Sequence, residues 1–265
     1  MPAKGAATIL RRDRAIVVGG LAILGALTWV YLVHLQASMT GPHMVGATMD
    51  EGMAMPGAYG WQVADVLVAF LMWVVMMVAM MTPSVTPMLL TVAKVSQQRQ
   101  QIPSPPVITA AVFTGYLTAW TGFSLGATLV QWELQSAARL SPTIISIRPL
   151  VEGLLLLLAG AYQFSPLKHA CLSRCRTPLG FLLAEWRDGT PGALVMGLRH
   201  GLYCVGCCWL LMALLFAVGV MNLLWLALLA VTVLLEKVSP GGWWLSRALG
   251  ILLVGWGMWT LVAMV

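Results

Sequence analysis

Seven stretches of nearly unbroken apolar residues, near 15–35, 63–90, 107–131, 149–166, 196–219, 221–237 and 244–264, alternate with short segments rich in Pro, Gly and charge. Each approaches or reaches the ~20 residues that a helix needs to cross ~30 Å of hydrocarbon. No stretch alternates with period two as a barrel strand does. The pattern predicts an all-α, polytopic transmembrane helix bundle of about seven spans. It divides the chain into residues 1–35, a basic segment and first membrane anchor; residues 36–62, an outer loop; and residues 63–265, a six-helix membrane domain. Arg11, Arg12 and Arg14 precede the first run as they would in a secretory leader, but Leu35-Gln36-Ala37 is a poor cleavage site, and the run is read as a retained anchor.

Composition agrees with the pattern. The 265 residues are 60% hydrophobic and 9% charged, which excludes an ordinary soluble domain. With the N-terminus in the cytoplasm, 13 of the 15 Lys and Arg residues fall on the inner side, and Arg139 and Arg148 alone fall outside. The net charge of +6 is then a matter of orientation in the membrane and calls for no nucleic-acid partner. No phosphate loop, H-E-x-x-H pair or G-x-S-x-G elbow is present, so nothing points to nucleotide use or hydrolysis.

The candidate chemistry is soft. Met196, His200, Cys204, Cys208 and Met212 recur every fourth residue through the fifth span, with Cys207 beside them. A step of four advances about 40° around a helix, so these side chains form a slanting stripe. The second span carries Met72, Met76 and Met80 in one row and Met77 and Met81 in a neighbouring row, ahead of Pro83, which predicts a kink near Ala79. Cys171 and Cys175 lie in a basic inner connection. All five cysteines fall in or near the cytoplasm, where disulfides are rare. Thioether and thiolate together favour copper as Cu(I), with zinc the alternative through Cys and His. The outer loop adds Met39, His43, Met44, Met49, Asp50, Glu51, Met53 and Met55. Thioethers need no deprotonation and suit capture of Cu(I) on an oxidising side.

A rise of 1.5 Å per residue puts Cys204 and Cys208 roughly 7 to 14 Å above the inner edge, and Met76 and Met80 roughly 5 to 11 Å above it. The two ligand faces meet if the second and fifth spans are neighbours. Among the ionisable residues, Glu152 is expected to pair with Arg148, Lys237 to snorkel to the inner headgroups, and Glu236 to need water or a cationic neighbour. Gly115, Gly122, Gly126, Gly250, Gly255 and Gly257 read as close helix contacts.

Several strings together, Met72-Trp73 through Pro83, Tyr162-Gln163 through Lys168, Cys171 to Arg176, Gly201 through Cys204, Cys207-Cys208-Trp209, Met221-Asn222 and Glu236-Lys237 through Pro240, resemble a bacterial family of predicted metal-binding integral membrane proteins. The resemblance runs from about Trp61 to the C-terminus. It implies metal binding, with Met72, Met76, Met77, Met80, Met81, Cys171, Cys175, Cys204, Cys207 and Cys208 at the motif positions, but no settled reaction.

The residues point to an inner-membrane protein that handles Cu(I), as a transporter or as a chaperone in cuproenzyme assembly. Its expected partners are the bilayer and a copper enzyme or periplasmic copper protein. A membrane thiol oxidoreductase and a metal-free structural subunit are the alternatives. The first is opposed by the poor disulfide geometry of cysteines three and four apart on one helix.

Overall fold

A computed structural model describes residues 3–40, 61–99, 104–140, 148–219 and 222–263, which are helical with no strand among the described residues. The elements are α1 (Ala3–Thr40), α2 (Val63–Gln98), α3 (Pro105–Leu140), α4 (Arg148–Tyr162), α5 (Pro166–Arg176), α6 (Pro178–Glu185), α7 (Gly189–Ala213), the single turn α8 (Leu215–Val218), α9 (Leu223–Val238) and α10 (Gly242–Val262). Of the expected outer loop, Met39 falls within α1, and His43 to Met55 lie outside the described residues.

Four stretches are long and apolar enough to cross a membrane: Ala15–Ala37, Val63–Gln98, Gly189–Ala217 and Gly242–Val262. A fifth is added if Leu150–Tyr162 and Pro166–Arg176, bent by 63°, form one crossing. α9 has 16 residues, a rise of about 24 Å against ~30 Å of hydrocarbon. α3 is long but rich in hydroxyls. Thr109, Thr114, Thr118, Thr121, Ser124 and Thr128 each donate to the carbonyl four residues back, at 2.8 to 3.0 Å, so these hydroxyls are satisfied within the helix.

Helix starts follow local chemistry. Asp65 accepts a hydrogen bond from the Gln62 amide at 2.9 Å, which ties the first turn of α2. The Ser165 hydroxyl accepts from the Leu167 amide at 3.1 Å, and Pro166 opens α5. Pro166 also explains why α4 stops, since it has no N–H to continue the ladder. The chain bends over three residues whose amides bond to Gly160, Ala161 and Tyr162 at 2.9 to 3.1 Å. α2, by contrast, runs on as one element through Pro83 and Pro87.

Helix contacts concentrate where side chains are small. A Cβ on Gly197 would lie 2.0 Å from the Val112 carbonyl oxygen, and one on Gly115 would lie 2.1 Å from that of Leu194. These glycines therefore let α3 and α7 touch backbone to backbone. The helix pair α4 and α10 is joined likewise through Gly153, Gly160, Gly250 and Gly257. The expectation of close contact holds for Gly115, Gly250 and Gly257, but a Cβ on Gly122, Gly126 or Gly255 would meet nothing within 4 Å. α1 packs on α2 at the margin of the bundle. The outward faces are apolar, as at Leu67 and Leu71 of α2 and at Ile251 and Leu252 of α10.

Candidate metal centre

The stripe predicted on α7 is buried throughout: Met196, His200, Cys204, Cys208 and Met212 are all at most 3% exposed, as is Cys207. Gly197 and Gly201 lie on the face of α7 that meets α3, and Cys204 continues that face seven residues beyond Gly197. The close approach of α3 carries Tyr116 to the thiol, with its hydroxyl 3.1 Å from Cys204 Sγ. The same hydroxyl donates to the Met81 carbonyl of α2 at 3.5 Å.

The expectation that Lys237 snorkels to the headgroups is corrected. Its side chain is buried, and Nζ donates to Cys204 Sγ at 2.9 Å and to the Ser84 hydroxyl at 3.0 Å. The Ser84 hydroxyl in turn lies 3.9 Å from Met81 Sδ. Met81, Ser84, Lys237, Cys204 and Tyr116 thus close a ring drawn from α2, α9, α7 and α3. Met81 of α2 is linked to Cys204 of α7 through Tyr116, Ser84 and Lys237, while the extensive packing is of α3 against α2 and against α7. Met76, Met77, Met80 and Met81 are buried, whereas Met72 is only partly so.

Glu236 finds the cationic neighbour it needs in Lys168, whose Nζ lies 2.8 and 2.9 Å from the carboxylate oxygens. Ser246 donates to the same carboxylate at 2.8 Å, and Lys168 also donates to Gln163. This pair ties α5 to the α9–α10 hairpin. Arg176 closes the far end by donating to the Ser239 and Pro240 carbonyls at 2.6 and 2.9 Å.

That anchoring gives the expected basic inner connection a fold of its own. Residues 167–195, between the fourth and fifth expected spans, form most of α5, α6 and the first turns of α7, and α5 lies against α7. Cys171 Sγ sits where a side chain on Gly206 would begin, 2.9 Å from that position, and the Cys175 thiol neighbours that of Cys207. The structure therefore brings Cys171 and Cys175 to the cysteines of α7 from a separate element. Spacing in the chain carries no sign of this; Lys168 and Glu236, ionisable residues in apolar surroundings, were the available signal.

The thiols do not converge on one point. Cys207 and Cys208 both donate to the Cys204 carbonyl at 3.1 Å, while Cys204 turns to Lys237 and Tyr116. Accordingly, no group of three or more His, Cys, Asp and Glu side chains among the described residues is arranged as a ready ion cage. His200 lies one turn before Cys204, 5.2 Å from Phe181 and 6.1 Å from Tyr116 between ring centroids. Its Nδ1 is buried without a hydrogen-bond partner among the described residues. The donor set is thioether, thiol and imidazole, which suits a soft ion.

Residues 70–260 match the model of a family described as "PpoB2: Copper chaperone", well over half of the chain. No curated protein and no solved structure matches it.

Proposed function

Because this chain belongs to the PpoB2 copper chaperone family, we propose that it is an inner-membrane copper chaperone whose cargo is Cu(I). In this reading the N-terminus is cytoplasmic, and the chain makes seven crossings, with α3 and α9 as two of them and the bent α4–α5 pair as one. Residues 1–35 anchor it, the Met/His loop at 36–62 receives copper outside, and residues 63–265 hold the ion. Cargo is exchanged among the loop, Met72, Met76, Met77, Met80 and Met81 of α2, and Cys204, Cys207 and Cys208. His200 stands at the inner side, and Cys171 and Cys175 of α5 form a further thiol pair. The recipient is a copper enzyme or a periplasmic copper protein.

One observation carries the reading: Lys237 Nζ reaches Cys204 Sγ at 2.9 Å and the Ser84 hydroxyl at 3.0 Å, and that hydroxyl lies 3.9 Å from Met81 Sδ, so a thiol of α7 and a thioether of α2 lie around one buried ammonium. Successive soft donors permit exchange, since an ion bound at graded sites can leave each of them. The test is anaerobic loading of the purified full chain with Cu(I), followed by transfer to a chromogenic chelator. Retention in the wild type that falls in the Cys204→Ser/Cys207→Ser/Cys208→Ser variant supports the proposal, and equal retention in both refutes it.

The contact between Cys175 and Cys207 favours one other reading, a thiol oxidoreductase, because it joins cysteines on different helices and escapes the geometric objection to pairs within α7. Metal-free protein with a reversible Cys175–Cys207 disulfide is the result that selects it.

A further inference from the structure

Two lysines but only one carboxylate are buried in the bundle: the buried acidic and basic side chains among the described residues, histidine apart, are Lys168, Glu236 and Lys237. Glu236 is committed to Lys168 and Ser246, so that pair is neutral by itself. Lys237, the next residue along α9, points to the other side and has no carboxylate partner among the described residues. Its ammonium faces Ser84 of α2 and Cys204 of α7, with the Tyr116 phenol of α3 on the same sulfur. A buried cation without an anion is costly, so these surroundings favour one added negative charge.

We infer that Lys237 is the fixed counter-cation of a two-thiolate Cu(I) centre built on Cys204, and that it matches the site to a monovalent ion. The inference rests on the Cu(I)–thiolate reading above. Cys208, one turn beyond Cys204 and already bonded to its carbonyl, is the nearest second thiol on the same stripe. When Cu⁺ enters, two S–Cu bonds form, two S–H bonds break with release of both protons to bulk water, and no electron is transferred. The centre then carries one negative charge, and the ammonium brings the site to zero. Zn²⁺ on the same two thiolates forms a neutral centre and leaves Lys237 uncompensated. The lysine thus acts through the ligands as a positioning and selectivity residue.

The experiment compares Cu(I) and Zn(II) retention, each against a chelator series, in the purified full chain in detergent for the wild type, Lys237→Met and Lys237→Arg. Lys237→Met is expected to lose about 10- to 100-fold in Cu(I) affinity, the usual cost of removing a group that supports metal ligands, while Zn(II) affinity holds or rises. Lys237→Arg keeps the wild-type ratio. A purely structural role would weaken both metals together, so an unchanged Cu(I)-to-Zn(II) ratio in Lys237→Met overturns the inference, as does an Arg variant that behaves like Met. If Lys237→Met does not yield folded protein by circular dichroism and size exclusion, Lys237→Gln replaces it as the uncharged variant. Wild type that retains no Cu(I) overturns the copper reading and this inference together, whereas wild-type retention with an unchanged ratio overturns the counter-cation alone.

Discussion

Gly197→Ala should open the metal centre although the substitution touches none of its ligands. The new Cβ would lie 2.0 Å from the Val112 carbonyl oxygen, whereas ordinary contact begins at 3.4 Å, so α3 and α7 must part by about 1.4 Å, the difference between the two. Tyr116 follows Val112 by one turn of α3, and the same shift would take its hydroxyl from 3.1 Å to as much as ~4.5 Å from Cys204 Sγ, beyond hydrogen-bonding reach. Two effects oppose each other in stability. Replacing a helical glycine by alanine gains up to about 1 kcal/mol, and overpacking costs about 1–3 kcal/mol. Because the obstruction is backbone, which cannot rotate away as a side chain can, the cost should win. Gly122→Ala on α3 is the control, since its Cβ meets nothing within 4 Å and only the gain applies. Thermal unfolding in detergent should therefore order the proteins Gly122→Ala, wild type, Gly197→Ala. Modification of Cys204 by a small maleimide should be fastest in Gly197→Ala. Equal stability and equal Cys204 reactivity in the two alanine variants would refute the reasoning.

Other perturbations test other parts of the account. Glu236→Gln strands the buried Lys168 ammonium and should cost about 3–5 kcal/mol in denaturant unfolding, while Lys168→Met/Glu236→Leu should recover most of that loss. Arg199→Ala removes a solvent-exposed partner of Glu185, so the same assay should show less than about 1 kcal/mol. Ser165→Ala deletes the cap of α5 and should cost about 1 kcal/mol; a change within error would mean that the bend is held by Pro166 and tertiary contacts alone. A short bifunctional thiol reagent should link Cys175 to Cys207, read by peptide mapping, and the absence of that linked peptide in a variant retaining only those two cysteines would contradict the placement of α5.

Much of the helical layout is legible in the chain because hydrophobic runs of membrane length have few alternatives to helix. The Met rows of α2 and the stripe on α7 follow from a period of 3.6 residues, and both, apart from the partly exposed Met72, are buried as a stripe facing protein should be. What the chain does not display is which elements meet. Residues 167–195 look like a basic connection because Lys168, Arg174 and Arg176 are read as inner-side charges. In the fold Lys168 is spent on Glu236 and Arg176 on the Ser239-Pro240 turn, and α5 is thereby brought against α7. Lys237 misleads for the same reason. A lysine ending an apolar run usually reaches for headgroups, and only the three-dimensional position of Ser84 and Cys204 shows that it turns inward. Gly122, Gly126 and Gly255 show the converse, since small residues permit contact without requiring it.

X-ray absorption at the copper edge of the Cu(I)-loaded full chain reads the ligands of the bound ion themselves. The wild type should give a Cu(I) edge with sulfur scatterers, and Cys204→Ser/Cys207→Ser/Cys208→Ser should lose bound copper or replace sulfur by lighter scatterers. Copper bound through nitrogen and oxygen alone, or a sulfur shell that survives the triple substitution unchanged, would contradict copper ligation by these thiols.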